Sequence, residues 1–545
     1  MLIATVEQMR ALEKRADESG HTYARMMEMA GTGIADFVDT RFYMEFEEEA
    51  DRTILGLVGS GNNGGDTLIA LEELQSIGWK TRAYLVKERD SDDPLVAEYI
   101  NAGGTVAKIS DDAKLATLKK WCGNTQFLLD GILGTGARLP LDDSLRSVLK
   151  SVNKFESGMV ILAVDCPSGI DCFTGQVSPE TLHCDYTLSM AAVKTGLLSF
   201  PAYEYCGNLV NISIGFEKNL PGWENELHEI ITPIKVAGML PKRPLDAHKG
   251  TFGTAMITAG SINYTGAVLL AAEAAYRSGA GLVRAAIPGM IHSAIAGQIP
   301  EVTWLLLPHE SGVIAEAGAE VILKHLDKVT AMLIGPGLET EETTRHFIKR
   351  LFTQQGKKGK GTVIGFVPTE PEESSSKSPA KLPPLVIDAD GLRILADIPE
   401  WWKLIPAGSI LTPHPGEMSA LTGLSVKEIQ EKRLDLALHF AKEWNQIVIL
   451  KGALTVIATP DGHASISTCA NPSLARAGSG DLLAGLITGF LAQGVKPVDA
   501  ARLGVWIHGN CGDLASEDVD PAAILPSDLV SQIPASIGIL RGLSV

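Results

Sequence analysis

The sequence predicts an α/β protein built from doubly wound parallel sheets, and three observations predict it. Apolar strand-length runs end repeatedly in glycine-rich turns that open onto helical patterns, as in TILGLVGSGNNGGDTLIALEEL from Thr53 and RAGSGDLLAGLITGF at 476–490. Acids stand at successive strand ends, at Asp130, Asp165 and Asp388, where open α/β sheets gather their ligands. The chain of 545 residues, 45% hydrophobic and 21% charged with 55 glycines, exceeds one ordinary core. Length alone suggests about three domains, fewer if they are large α/β units. Two are assigned, at 1–220 and 221–545.

Residues 5–38 read as helices. Thr5 and Gln8 have capping-box spacing, and Met9, Leu12 and Ala16 follow at helical intervals. Met26, Met27, Met29 and Ala30 mark a second helix, its methionines placed in the core or a subunit contact. The strand from Thr53 then enters a turn holding Asn62, Asn63, Gly64, Gly65 and Asp66. Glycines let a backbone approach a ligand closely, and the first amides of a helix bind anions. The run is not GxGxxG with an acid about 20 residues on, so no standard dinucleotide site is assigned. Its asparagines suit a left-handed turn, or offer oxygens to a cation or sugar.

TQFLLDGILGTGARLP ends a strand at Asp130 and runs into Gly134-Thr135-Gly136; GMVILAVDCPSGID ends one at Asp165, with Ser168 in the following turn. Each aspartate alone reads as a helix cap. Together with the first turn they point to one site built from Asn63, Asp130, Asp165 and Ser168. NLVNISIGF closes this half near Phe216, and 217–240 reads as a connector whose PGWENE breaks any period.

The second half repeats the logic. Ala259-Gly260-Ser261 precedes a small-residue helix, Gly335-Pro336-Gly337 forms another turn, and Asp388 and Asp390 end a strand. His414, between prolines, is a structural turn residue or a substrate contact. Lys451 precedes a hairpin-like strand pair and suits contact with a phosphate or a backbone turn. His248-Lys249-Gly250 reads as a plain loop, and TEPEESSSKSPAKLPP at 369–384 as a solvated one. The turn Gly478-Ser479-Gly480 delivers Asp481 to a helix start. A carboxylate there either caps the helix or takes a proton from a nucleophile attacking a bound phosphate.

A net charge of −18 argues against nucleic-acid and anionic-membrane partners but not against a phosphorylated small ligand held by backbone amides. No window holds about 20 uninterrupted apolar residues, and MLIATVEQMR lacks the pattern of a signal peptide. Seven cysteines without a CxxC pair read as reduced, mostly buried thiols in a cytoplasm, although Cys166, Cys172, Cys184 and Cys206 share one region.

These motifs resemble a known family. GNNGGD, LLDGILGTG and VDCPSGID are similar to the YjeF N-terminal domain, an NAD(P)HX epimerase with a Rossmann-like doubly wound fold. HKGTFG, the AGS turn followed by YTGA, GPGL, IDADGL, LTPHPGEM, KGA and GSGD resemble the ribokinase-like ADP/ATP-dependent NAD(P)H-hydrate dehydratase. Together they cover almost the whole chain in the order of bifunctional NAD(P)H-hydrate repair enzymes. The resemblance implies a potassium ion at Asn63, Asp130 and Ser168, and proton transfer by Asp165. It implies nucleotide contacts at 62–66 and at Gly134, Thr135, Gly136, Ala137 and Arg138 through residue 140. In the second half it implies substrate contacts at Ala267, Gly337, His414 and Asp481. The adenine nucleotide is expected against Lys451, Gly452, Ala453, Leu454 and Thr455 and the turn Gly478, Ser479 and Gly480. ADP, or ATP, is the implied phosphoryl donor, with Mg2+, and Asp481 the implied base. NADHX and NADPHX are the implied substrates, in a cytoplasmic homo-oligomer. The sequence departs from the family at Thr67, where a glycine is usual, and at Ala475-Arg476-Ala477, where threonine and glycines are usual. Rival readings are a small-molecule kinase of the hydroxyethylthiazole or pyridoxine type, which shares GSGD, and a non-catalytic binding role for the first half.

Overall fold

The computed structural model describes residues 1–43, 52–90, 92–353 and 381–543. The loop reading at 369–380 therefore lies outside the described residues. The chain divides into two compact units, Met1–Glu229 and Ile230–Val545.

The first unit is built on seven strands, β1 (Thr53–Val58), β2 (Lys80–Leu85), β3 (Thr105–Lys108), β4 (Phe127–Gly131), β5 (Val160–Val164), β6 (Tyr186–Met190) and β7 (Asn208–Ile212). They form one sheet in the order β3-β2-β1-β4-β5-β6-β7, every neighbouring pair parallel. Central strands such as β4 are buried throughout. That explains their continuous apolar runs, because both faces of a parallel sheet are covered. Helix α1 (Val6–Glu18) starts at the expected capping box, Thr5 and Gln8 satisfying each other's backbone N–H. Helix α2 (Tyr23–Phe42) buries Met26, Ala30, Ile34 and Val38. A short strand, Ala192–Lys194, pairs in parallel with Leu2–Ala4, so that Ala4 lies opposite Lys194.

The connector reading of 217–240 needs correction. The segment holds short helical turns at Phe216–Asn219, Trp223–Glu226 and Pro233–Ala237. Phe216, Leu220, Trp223 and Leu227 are buried in the core of the first unit. Elements this short carry no readable period, and single apolar anchors do the docking.

Among the described residues the second unit is built on a run of nine strands, β8 (Thr254–Thr258), β9 (Leu282–Pro288), β10 (Thr303–Leu307), β11 (Ala331–Ile334), β12 (Leu385–Ile387), β13 (Ile410–Leu411), β14 (Ile447–Leu450), β15 (Val456–Ala458) and β16 (Ala464–Ile466), with a separate two-stranded ladder of His309–Glu310 and Val313–Ile314. The order of the nine is β10-β9-β8-β11-β12-β13-β14-β15-β16. The pairs are parallel as far as β14, and β15 and β16 add as the expected antiparallel hairpin. Helix α3 (Asn62–Ser76) in the first unit and α4 (Thr265–Arg277) and α5 (Pro415–Thr422) in the second begin beside strand ends. So does α6 (Ser479–Ala492), which is almost wholly buried and packs on α4. His248, read as loop, caps the helical turn Lys249–Phe252 through its Nδ1.

Small residues set the α4–α6 approach. A Cβ at Gly485 would lie 2.3 Å from the Ala271 carbonyl oxygen and 2.8 Å from its Cα. Backbone cannot yield there without parting the helices, and overpacking of this kind costs about 1–3 kcal/mol or more. Gly485→Ala is expected to lower stability by about 2 kcal/mol despite alanine's better helix propensity, read as a lower urea midpoint.

Candidate active sites

In each sheet the winding direction reverses once, between β1 and β4 and between β8 and β11. Open α/β sheets hold ligands at the carboxyl ends of strands beside such a switch, and several of the expected residues stand at or just after strand ends there or farther along the same sheet, Asp130 and Asp165 in the first unit and Gly337, His414 and Lys451 in the second.

In the first unit α3 begins at once, with Gly61 as its N-cap and no capping side chain. The GNNGGD run is therefore the opening of a helix rather than a free turn. Asn62 and Asn63 are right-handed helical, and the left-handed reading falls. Asn63 donates from Nδ2 to the carbonyls of Leu133 and Val164, tying the ends of β4 and β5 to α3. Its Oδ1 has no donor among the described residues. Gly134 packs against that amide, where a Cβ would lie 2.5 Å from Oδ1. Thr67 donates to the Asn63 carbonyl at 2.7 Å and is fully buried; inside a helix it restricts no turn.

Asp130 is fully buried at the end of β4. Its two oxygens accept the Ser168 hydroxyl at 2.6 Å and the Ser168 N–H at 2.8 Å, while Ser168 Oγ accepts the Leu133 N–H at 3.0 Å. Burial raises the Asp130 carboxyl, and the bonds from Ser168 and Ile132 oppose that rise. Neither Asp130 nor Asp165 caps a helix, which removes the bland reading of both. The run Gly134–Arg138 is a turn, closed by Ala137 N–H to the Gly134 carbonyl at 3.0 Å, with Gly136 and Arg138 exposed.

Asp165 follows β5 with a positive φ of 67°. Its Oδ1 accepts the Met190 N–H at 3.1 Å and pairs with the Lys194 ammonium. Burial works against that ammonium, but Asp165 more than compensates and the net shift is upward. Two more acids belong to this group. Burial, then the charge of Asp165, pushes the Asp66 carboxyl well above its ordinary range; burial also raises Glu13 of α1, with Lys194 opposing. Lys194 and Glu13 were not legible as site residues. They lie far along the chain from Asp165, and the one signal was a lysine closing an apolar strand.

In the second unit Gly478 takes a φ of 96° and caps α6, so Ser479, Gly480 and Asp481 form its first turn. Burial, then the charge on Asp388, raises the Asp481 carboxyl to about 7, with Lys451 opposing. Lys451 is not solvated. Its Nζ donates to Asp388 Oδ1 at 2.6 Å and lies 3.8 Å from Glu417. Thr412 donates to the same Asp388 oxygen at 2.7 Å. A Cβ on Gly480 would lie 3.3 Å from Lys451 Nζ, which places this network directly beneath the glycine turn. Glu417 was missed: GEM after a proline reads as an ordinary first helical turn.

His414 does what the structural reading expected. Its Nδ1 accepts the N–H groups of Gly416 and Glu417 and caps α5, while Nε2 lies 3.3 Å from the Glu417 carboxylate and the side chain stays 45% exposed. Ala267 and Gly337 lie side by side, a Cβ on the glycine falling 3.0 Å from that of Ala267. Among 452–455, Gly452 and Leu454 have positive φ, Thr455 donates to the Gly452 carbonyl, and Ala453 is exposed at the tip. Leu454 N–H bonds the Cys469 carbonyl at 3.2 Å. Cys469, Trp506, Asn510 and Asp513 line a cavity of about 170 Å3 there, and the buried Asn510 Oδ1 has no partner. Ser479 bonds His508 at 2.9 Å, and burial lowers that imidazole to about 4, so it is neutral near pH 7.

All seven cysteines are free thiols and six are buried. No helix of the described residues is long and apolar enough to cross a membrane.

Comparison with known proteins gives the same two parts. Residues 23–196 match the family described as YjeF-related protein N-terminus, and 255–364 with 371–535 match NAD(P)H-hydrate dehydratase. The chain is 32% identical over 514 residues to a bifunctional NAD(P)H-hydrate repair enzyme of Moorella thermoacetica, covering 93% of this chain and 91% of that one. It is 32% identical over 546 residues to the enzyme of the same name from Thermofilum pendens, covering 99% and 97%. A crystal structure of ADP/ATP-dependent NAD(P)H-hydrate dehydratase from Bacillus subtilis, co-crystallised with ATP/Mg2+, is 29% identical with a TM-score of 0.47, over 57% of this chain and 99% of that one. With both domains matched in order and relatives aligned over nearly its whole length, the chain belongs to the bifunctional NAD(P)H-hydrate repair enzyme family.

Proposed function

We propose that the first unit interconverts the R and S epimers of NAD(P)HX at Asp165, and that the second dehydrates the S epimer to NAD(P)H with phosphoryl transfer from ADP, Asp481 being the base. The observation that supports the reading is a carboxylate in each unit near the carboxyl ends of its strands, Asp165 buried after β5 and Asp481 half-buried in the first turn of α6, with a helix start that no side chain caps in each unit, α3 and α6.

Hydrated nicotinamide carries a hydroxyl on a carbon next to the ring nitrogen. Asp165 takes the proton of the C6 hydroxyl as the carbonyl forms and the C6–N1 bond opens, and returns it to that oxygen when the nitrogen recloses on the other face of the carbonyl. Hydroxide is a poor leaving group, so the second unit converts it into phosphate. Asp481 takes the hydroxyl proton as the oxygen attacks the terminal phosphorus of ADP. The amides of the Gly478–Gly480 turn and the start of α6 stabilise charge on the transferred group. Phosphate then leaves as the C6–O bond breaks, a proton is lost from C5 to form the C5–C6 double bond of NAD(P)H, and AMP remains. The cavity beside Leu454, with the Asn510 oxygen as acceptor, offers the adenine base and its amino group a place. Mg2+ would accompany the nucleotide, held through its phosphate oxygens.

The residues at the first switch point fit a potassium ion. Asn63 Oδ1 lacks a donor, and Leu133 links Asn63 to the Ser168–Asp130 pair, its carbonyl accepting from Asn63 and its N–H donating to Ser168; together their oxygens are a hard donor set of low charge. When bound, the ion would screen anionic groups of the substrate and hold them in place. Asp130→Asn is expected to abolish stimulation of epimerisation by K+ over Li+ and to lower the rate about tenfold. Chromatographic separation of the epimers with ADP omitted checks both. Undiminished K+ stimulation in the variant removes the ion from this site.

A further inference from the structure

We propose that Lys194 is a positioning residue for epimerisation: it holds one oxygen of Asp165 so that the other is the atom that moves the proton. The proposal rests on the epimerase reading above.

Lysine is almost never fully buried unless paired, and the Lys194 side chain is 2% exposed. Everything around it fixes one oxygen of one carboxylate. Oδ1 of Asp165 accepts both the Lys194 ammonium and the Met190 N–H, and Lys194 Nζ donates in addition to the Met190 carbonyl at 3.3 Å. The main chain is held as firmly. Asp165 N–H bonds the Leu188 carbonyl at 2.8 Å, and Asp165 and Ala191, which joins β6 to the strand of Lys194, both take positive φ. Strained backbone of this kind persists where its surroundings over-determine it. Oδ2 has no hydrogen-bond donor among the described residues. A carboxylate with one oxygen saturated and one open presents a single basic atom in a single orientation, which is what proton transfer requires.

The charges support that assignment. Asp165 is faced by Glu13 of α1, Asp66 of α3, the thiols of Cys166 and Cys172, and Lys194. Burial raises Asp66 and Glu13, while the one ammonium of the group is paired with Asp165. Moving a proton from substrate to Oδ2 and back oxidises nothing and consumes no co-reactant.

The test measures interconversion of purified NADHX epimers by the full-length protein without nucleotide, as kcat, KM and a pH profile. Lys194→Met is expected to lower kcat about 100-fold with KM within about threefold, and to move upward the pH below which epimerisation is lost. Lys194→Arg, which keeps the cation on a bulkier head, is expected to lose about tenfold in kcat with the parent's pH profile. Combined with Asp165→Asn, Lys194→Met should slow the reaction no further than Asp165→Asn alone, because it acts through that residue. A parental kcat and pH profile in Lys194→Met, or a change confined to KM, overturns the proposal. If Lys194→Met is recovered unfolded, Lys194→Arg decides: a folded protein with lowered kcat supports the proposal and one with the parental kcat overturns it. Absence of epimerisation in the parent would instead remove the epimerase reading, and the proposal with it.

Discussion

Asp481→Asn is expected to lower nucleotide-dependent recovery of NADH from (6S)-NADHX by about 10³-fold, within the range for loss of a positioned base. The amide keeps the size of the side chain and removes its ability to accept a proton. Affinity for ADP should change little, since the amides of the turn and the start of α6 remain. The parent carries a second signature of the same group. Burial and the Asp388 charge raise the Asp481 carboxyl to about 7, and a base works in its ionised form. On the acid side kcat/KM should therefore fall as pH drops through about 7, rather than through the ordinary carboxylate range near 4. A flat profile between pH 5.5 and 8 would take the proton-accepting role away from Asp481.

Lys451→Met should have the largest effect on stability. The ammonium touches Asp388 at 2.6 Å and lies near Glu417, both carboxylates being at most 4% exposed. Removing one partner of a buried pair costs about 3–5 kcal/mol, because the remaining charge stays desolvated and uncompensated. The cost depends on pH with a definite sign. Burial, with Asp388 as a like charge, raises the Glu417 carboxyl, and Lys451 opposes that rise. Loss of the lysine therefore raises it further. Protonation then relieves the repulsion, and the deficit should be largest at pH 8 and shrink towards pH 5.5. Urea unfolding of parent and variant at both pH values measures it. An equal deficit at both would mean that lost packing, not charge, carries the effect.

Much of this was legible in the sequence, and the gaps have physical causes. Strand, glycine turn and helix could be read in order because parallel strands buried on both faces are continuously apolar and their turns need glycine. The Thr5–Gln8 box could be read because a local motif carries local geometry, and the bonded pair of Asp130 and Ser168 because each stands at or just after a strand end. The GNNGGD run was misjudged as a turn, since Gly64 and Gly65 continue a helix whose first residues are asparagines. The contacts of Lys194, Glu13, Asp388 and Glu417 were not legible. Each meets its partner only because the fold brings the two together, as Lys451 reaches Asp388 across 63 residues. The 217–240 segment failed differently. Its anchors Phe216, Leu220, Trp223 and Leu227 keep helical spacing, but Pro221 and Gly222 break the segment into turns of four residues, so the period announces no continuous helix.

The central claim is that one chain carries out both steps of repair, each at its own carboxylate. It is tested most directly by following absorbance in the reduced-nicotinamide band for an equilibrated mixture of NADHX epimers with ADP and K+, using the parent and Asp165→Asn side by side. The parent should recover nearly all the NADH in one phase. Asp165→Asn should recover the S fraction at the parental rate and the remainder only at the slow rate of spontaneous epimerisation. Identical progress curves for the two proteins would contradict the account, as would a parent that recovers the S fraction alone.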